Sequence, residues 1–458
     1  MMEALCQAKL RIDNPTPELY SWCWKNLKVN NPDYYKREAM GKWTGGTPEH
    51  FDLWERIGNS VLIPFGCAKR LYNDFYGQIR FRTSYLLLRR IDYKSGIELY
   101  PYQENAVKTA LGAKNGIIVM PCGAGKTQTA LELISRIGGR TLWLTHTQDL
   151  LNQSMSRAKS VLGVDLRTYG TITGGKVNIG TGLTFATVQT LSRLDVAQYA
   201  TEWDVVIVDE CHKAVGSPTK VMQFYKVLSN LSCRYKIGLT ATPKRADGME
   251  TAMFALLGEK IYEVTREEVS ATTCPVIVKW VSTGFEPTMD IILTGDGTLD
   301  YAAFVTDLTH DQKRFDMVRE TVLSTGGYAL ILGNRVEYLE RMASSIDGAV
   351  CLSAMGNSKA AKAERKDVLR RLNNGDIKYV FATYQLAKEG LDVPNLRFVI
   401  LATPEKDETT VIQAAGRVGR KASGKDFGTV IDFIDEFGML KGWAKKRAGY
   451  YRKLDYQV

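Results

Sequence analysis

The chain has 458 residues, 45% hydrophobic and 24% charged, a composition that excludes a disordered polar chain and allows about three domains. Its formal charge of +10 makes a polyanionic partner worth seeking without establishing one. The eight cysteines show no CxxC or zinc spacing, and no leader or long apolar run appears. A zinc module, a secreted chain and a membrane protein are therefore not expected, and a reducing, cytoplasmic compartment is.

Residues 1–97 read as a separate, mixed α/β substrate-binding domain. Trp22, Trp24, Tyr34, Tyr35 and Trp43 alternate with Lys25, Lys28, Lys36, Arg37 and Lys42, and Tyr72, Phe75, Tyr76 and Phe81 with Lys69, Arg70, Arg80 and Arg82. Such a mixture makes either a surface that stacks bases and contacts phosphates or a small core with a basic rim. The composition predicts a short helix over Pro48–Ile57 and a strand or hairpin over Gly77–Ile91. No base-reading helix stands out, so any DNA contact is expected to follow shape or backbone.

A first α/β lobe is expected over residues 98–265. Gln103 is spaced upstream of a glycine turn where its amide can meet an adenine edge, with Tyr100 or Tyr102 covering the ring; it can equally be a helix-start residue after Pro101. The apolar run Gly116–Met120, the turn Pro121-Cys122-Gly123-Ala124-Gly125 and the helical spacing of Ala130, Leu131, Leu133, Ile134 and Ile137 predict strand, glycine turn and helix. Backbone N–H groups of such a turn face a phosphate, Lys126 reaches the β/γ-phosphates of ATP, and the Thr127 hydroxyl holds Mg²⁺. Met120 stands where GxxxxGK[ST] has its first glycine.

Leu142–Thr145 reads as a strand leading into a helix start at 146–154, and Leu183–Thr187 as a strand followed by Val188–Leu191. Thr147, Thr187 and Gln189 at these junctions either hold nucleic-acid phosphates or cap helices. The strand Val205–Val208 delivers Asp209 and Glu210 to its carboxyl end. Asp209 there orients Mg²⁺ through water and Glu210 orients and deprotonates the attacking water, so both join Thr127 around the metal. His212 reads as a coupling residue, since no second histidine lies at ligand spacing. A further strand, Tyr235–Leu239, ends in Thr240 and Thr242, which can link phosphate state to the nucleic-acid surface.

Residues 266–310 are expected to form a bridge or insertion, with a strand at Pro275–Val281 and a turn around Asp296. A second lobe is expected over 311–436. Its strands are Tyr328–Leu332, Ile377–Thr383 and Phe398–Ala402; Thr383 is a nucleic-acid candidate, and Gly390 and Asp392 are nucleotide candidates. Gln413, Arg417 and Arg420 are suited to reach the γ-phosphate when two lobes close on one ATP, because the arginine fork stabilises spread phosphate charge. The tail, 437–458, mixes Lys441, Lys445, Lys446, Arg447, Arg452 and Lys453 with Trp443, Tyr450, Tyr451 and Tyr456. It extends a DNA track or packs on the second lobe.

Gln103, MPCGAGKT, DECH, TAT and QAAGRVGR occur in the order found in superfamily 2 helicases, and the chain resembles that family over roughly residues 99–436. DECH and the QxxGRxxR ending make it similar to the UvsW and XPB branch, especially the tailed-phage UvsW-like branch-migration helicases. NPDYYKREAMGKWTGG (residues 31–46) and LIPFGCAKRL (62–71) are similar to the front region of those proteins. The resemblance implies two tandem RecA-like α/β lobes and ATP with Mg²⁺. It also implies sequence-nonspecific remodelling of forks, D-loops and four-way junctions, replication or recombination partners, and a bacterial host cytoplasm. Three other readings stay open: an RNA helicase, the motor subunit of a restriction-type complex, and a nonenzymatic DNA-binding or scaffolding protein.

Overall fold

Val205–Val208 is buried at every position, as an uninterrupted apolar run must be when both faces of its sheet are covered. In the computed structural model it lies inside an eight-stranded sheet. All residues are described here except 84–87, 122, 216–220, 242, 244–247, 270–272, 289–299, 353–358, 389–392 and 394. The chain divides into two units, Met1–Glu268 and Val269–Val458.

In the first unit the eight strands run in the order Lys176–Asn178, Tyr169–Thr173, Leu183–Thr187, Thr141–Thr145, Val205–Val208, Tyr235–Thr240, Asn115–Val119 and Lys260–Glu263. All neighbours are parallel apart from the first pair. Ligands meet such a sheet at the carboxyl ends of its strands, where Met120, His146 and Asp209 follow directly.

The first 83 residues add a five-stranded sheet in the order Glu55–Ile57, Ser60–Pro64, Lys9–Asp13, Met2–Cys6 and Ile79–Thr83. The expected strand after Gly77 is present as Ile79–Thr83, parallel to Met2–Cys6. The helix expected over Pro48–Ile57 is not: His50–Asp52 and Glu55–Ile57 are strands. Phe51 and Leu53 are buried on either side of exposed Asp52, a period of two that outweighs the helix-start composition.

This front region has its own sheet but shares its core with the first lobe. One apolar cluster runs from Met2 and Leu10 through Phe65 and Cys67 to Leu142, Phe224 and Leu256. At the seam a Cβ on Gly66 would lie 2.5 Å from both the Ala255 carbonyl oxygen and the Gly258 nitrogen, so only glycine permits the approach. Fully buried Lys236 donates to the Leu228 carbonyl at 2.9 Å and to the Ala8 carbonyl at 3.4 Å. Of the front aromatics, Phe51, Phe65 and Phe75 enter the core while Trp24, Trp43, Tyr72 and Tyr76 stay exposed, so the region supplies a core and an aromatic surface together.

The second unit contains a six-stranded, wholly parallel sheet: Val276–Ser282, Gly428–Ile434, Phe398–Leu401, Ala329–Gly333, Tyr379–Thr383 and Ala349–Cys351. Val276–Ser282, expected within a bridge, is instead its edge strand, paired along its whole length with Gly428–Ile434. The turn expected around Asp296 lies outside the described residues. The tail forms the helix Gly438–Lys453, which buries Leu440, Ala444, Arg447 and Tyr451. Packing on the second lobe is thus what the tail's inner face does. Among the described residues no helix is long and apolar enough to cross a membrane.

Candidate active site

The strand Asn115–Val119 passes through Met120 into the turn that opens the helix Lys126–Ile137. Met120 is buried, its N–H donates to the Thr240 carbonyl at 2.9 Å, and its carbonyl accepts from Lys126 Nζ at 3.4 Å. Its side chain therefore serves the core, and only its backbone serves the turn. Gly123 and Gly125 have φ of +85° and +79°, the left-handed region that glycine enters without strain. Ala124 N–H closes the turn on the Pro121 carbonyl at 3.2 Å, and Thr127 lies in the first helical turn; Cys122 is outside the described residues.

Gln103 is buried beside this turn and has both expected relationships. Its Oε1 accepts from the Tyr100 N–H at 3.0 Å, capping the helix Pro101–Ala113, and its Nε2 donates to the Ala124 carbonyl at 2.9 Å. The amide thus ties the phosphate turn to a helix, and these two bonds to described residues use one of its two hydrogens and one of its two lone pairs. Tyr100 stacks on buried Tyr102, with ring centroids 5.8 Å apart and planes at 7°, and is itself exposed.

Asp209 and Glu210 follow the strand Val205–Val208, and Glu210 is held at φ +46°, a strained setting for a non-glycine residue. Glu210 Oε1 lies 3.5 Å from Lys126 Nζ and its Oε2 3.4 Å from His212 Nδ1. The same His212 nitrogen is 2.7 Å from the Thr240 hydroxyl. Phosphate turn, paired acids, His212 and the end of the next strand therefore form one connected group, while Thr242 lies outside the described residues.

Burial, and then the charge of Glu210, push the Asp209 carboxyl above its ordinary range against the pull of Lys126. Burial would raise Glu210 too, but Lys126, His212, Lys213 and His146 together outweigh it and hold that carboxyl low. The pair thus offers two adjacent carboxyl groups, one of them kept from ionising readily by burial and by the other's charge. A divalent cation is the group that such a pair fits, and it would keep both acids ionised.

Two partners of this group escaped the sequence reading. Ser154 donates to Asp209 Oδ2 at 3.4 Å; the available signal was a hydroxyl on the same helix face as buried Leu151 and Ala158. His146 directly follows the strand Thr141–Thr145, and burial with Lys213 lowers its pKa to about 4.

The nucleic-acid candidates all lie at helix starts. Thr147 accepts from the Leu150 N–H, Thr187 from the Thr190 N–H and Thr383 from the Leu386 N–H. Capping engages one lone pair of each hydroxyl. Gln189 is partly exposed in the turn of helix after Thr187.

In the second unit Gln413 is on the helix Glu408–Ala415, and Arg417 donates to the Ala387 carbonyl. The Arg420 carbonyl accepts from Lys425 at 2.8 Å, and Arg420 bridges to Thr273. Gly390 and Asp392 lie outside the described residues.

Residues 96–245 match the family described as type III restriction enzyme, res subunit, and residues 313–422 match the helicase conserved C-terminal domain. The chain is 24% identical over 457 residues to a protein of Acanthamoeba polyphaga mimivirus named as an ATP-dependent RNA helicase, L396, covering 94% of this chain and 80% of that one. It is 26% identical over 366 residues to the DNA 3'-5' translocase XPB2 of Sulfurisphaera tokodaii, covering 72% and 80%. The crystal structure of T4 UvsW aligns over 99% of this chain and 97% of that one, at 18% identity and a TM-score of 0.42.

Proposed function

We propose, on the premise that this chain is a superfamily 2 helicase resembling the XPB and UvsW proteins, that its ATP-driven motor remodels branched DNA: forks, D-loops and four-way junctions. The observation that carries the ATPase chemistry is the continuous contact from Lys126 through Glu210 and His212 to Thr240. The turn from Pro121 to Gly125 cradles phosphates with backbone N–H groups, and Lys126 neutralises them. Glu210, held ionised by Lys126 and Lys213, takes the proton of the attacking water. Thr127, Asp209 and Glu210 are the residues that would hold Mg²⁺ with the phosphate oxygens; bound there, the ion would offset phosphate charge.

Gln103 and Tyr100 meet the adenine, and Gln413, Arg417 and Arg420 stabilise the charge that develops on the transferred phosphoryl group. His212 and Thr240, with Thr242, pass the phosphate state toward the helix-start residues Thr147, Thr187, Gln189 and Thr383, which contact one nucleic-acid strand. Exposed Trp24, with Lys28 Nζ 4.9 Å from its ring centroid, and exposed Trp43 and Tyr76 support a stacking surface for a duplex arm or junction. Backbone contact of this kind is salt-sensitive and indifferent to sequence.

The name of the mimivirus relative favours a second reading, an RNA helicase. ATPase stimulation by matched DNA and RNA single strands, duplexes and forks separates the two. Stimulation by DNA forks or junctions above all RNA substrates supports the proposal, and stimulation by RNA above every DNA substrate replaces it.

A further inference from the structure

The helix Gly438–Lys453 has a buried side that reaches toward the arginine-bearing segment of the second unit. Arg447 is fully buried; its Nε and Nη2 donate to the two oxygens of Asp432, each at 2.8 Å, and the Tyr451 hydroxyl adds a bond to Asp432 Oδ2 at 2.8 Å. This fork already anchors the helix. Arg447 reaches further, donating from Nη1 to the Glu405 carbonyl at 3.1 Å and from Nη2 to the Phe433 carbonyl at 3.2 Å. Later turns of the same helix repeat the grip: the Tyr450 hydroxyl donates to the Lys406 carbonyl at 3.2 Å and Lys453 pairs with Glu408 at 2.7 Å.

The gripped run, Glu405–Glu408, feeds directly into the helix Glu408–Ala415, whose first turn Asp407 caps by accepting from the Thr410 N–H at 2.8 Å. Just before this run, Asn334 donates to the Pro404 carbonyl at 3.0 Å and to the Thr403 hydroxyl at 2.9 Å. The lead-in to Gln413, Arg417 and Arg420 is therefore fixed at successive points, and Arg447 is the contact that also reaches the central sheet through Asp432. A buried ion pair adds little net stability over well-packed apolar groups, but its geometry is directional. A contact that touches only the backbone leading into a functional segment acts by placing it.

We propose that Arg447 is a positioning residue for ATP hydrolysis: through the Glu405 carbonyl it sets the orientation of the helix Glu408–Ala415, and with it that of Gln413, Arg417 and Arg420. This rests on the role given above to the two arginines. The test is steady-state ATPase of the full chain with stimulating nucleic acid, for Arg447→Lys, for Tyr450→Phe combined with Lys453→Ala, and for Arg417→Ala. Lysine keeps a cation opposite Asp432 but lacks the fork that reaches Glu405 at the same time.

For a folded Arg447→Lys, kcat is expected to fall about tenfold with KM for ATP within about twofold, because the phosphate turn belongs to the other unit. The double variant, which removes only peripheral contacts, is expected to lose about threefold in kcat at an unchanged unfolding temperature. A folded Arg447→Lys with wild-type kcat, or with a raised KM and unchanged kcat, overturns the proposal. Where Arg447→Lys fails to fold, wild-type kcat in the double variant overturns it. Wild-type kcat in Arg417→Ala removes the arginine role itself; an impaired Arg417→Ala beside an unimpaired Arg447→Lys removes the positioning role alone.

Discussion

Replacing Gly125 with alanine should damage the phosphate turn by two separable amounts. The residue sits at φ +79°, where a Cβ costs roughly 1–2 kcal/mol. A Cβ built there would lie 2.3 Å from Gln103 Nε2, so Gln103 must withdraw and surrender its 2.9 Å bond to the Ala124 carbonyl, a further ~1 kcal/mol. If the sum of about 2–3 kcal/mol falls on the nucleotide-ready turn, ATP affinity drops roughly 30- to 150-fold. The helix Lys126–Ile137 and its core contacts are untouched, so the unfolding temperature should change little. Nucleotide-binding titrations of Gly125→Ala, Gln103→Ala and the double variant check this. The double variant should bind more tightly than the sum of the single losses predicts, since removing Gln103 removes the clash and leaves the backbone strain. Wild-type affinity in Gly125→Ala, or strict additivity in the cycle, would refute the reasoning.

Lys126→Ala and Glu210→Gln should each abolish ATP hydrolysis in a turnover assay, but only Lys126→Ala should also weaken binding, by removing charge opposite the phosphates; near-normal turnover in either defeats the assigned chemistry. Arg417→Ala and Arg420→Ala should cost about tenfold or more in hydrolysis and far less in ATP binding, with a matching loss of affinity for a transition-state analogue; unchanged analogue affinity makes them packing residues. Burial holds His146 and His212 neutral, with pKa lowered from 6.5 to about 4. The unfolded chain takes up those protons first, so their contribution to stability is present above pH 6.5 and is lost as pH falls toward 4. That is about 3 kcal/mol for each, with raised Asp209 acting in the opposite direction. Denaturant unfolding across this range should therefore show a shallower acid loss for His146→Gln than for the unaltered chain, and identical slopes would show that His146 is not held neutral by burial.

The parallel sheets were legible because their strands are continuous apolar runs ending in polar residues, as at Val205–Val208 before Asp209. The phosphate turn was legible through its flanks even though Met120 breaks the motif, because that residue contributes only backbone there. Residues 48–57 misled because proline and acidic residues also open helices, and the alternation of Phe51 and Leu53 is too short to announce two strands. Periodicity says which face of an element is buried but not what covers it. Hence Val276–Ser282 could be expected as a strand without being assigned to the second sheet, and residues 1–97 could show a core without showing that Leu142 and Phe224 complete it. The same limit hid Ser154 and Arg447, whose partners are 55 and 15 residues away.

The most direct test of the central claim is ATP-dependent product formation by the full chain on four-way junctions, forks, tailed linear DNA duplexes and matched RNA duplexes at one ionic strength. The full chain is required because deleting residues 1–97 would open the core that Phe65 and Cys67 share with Leu256. Faster remodelling of junctions and forks than of linear DNA, with RNA slowest and every rate abolished by Glu210→Gln, is the predicted result. RNA unwinding that outpaces every DNA substrate, or brisk ATP turnover without product on any junction or fork, would contradict it.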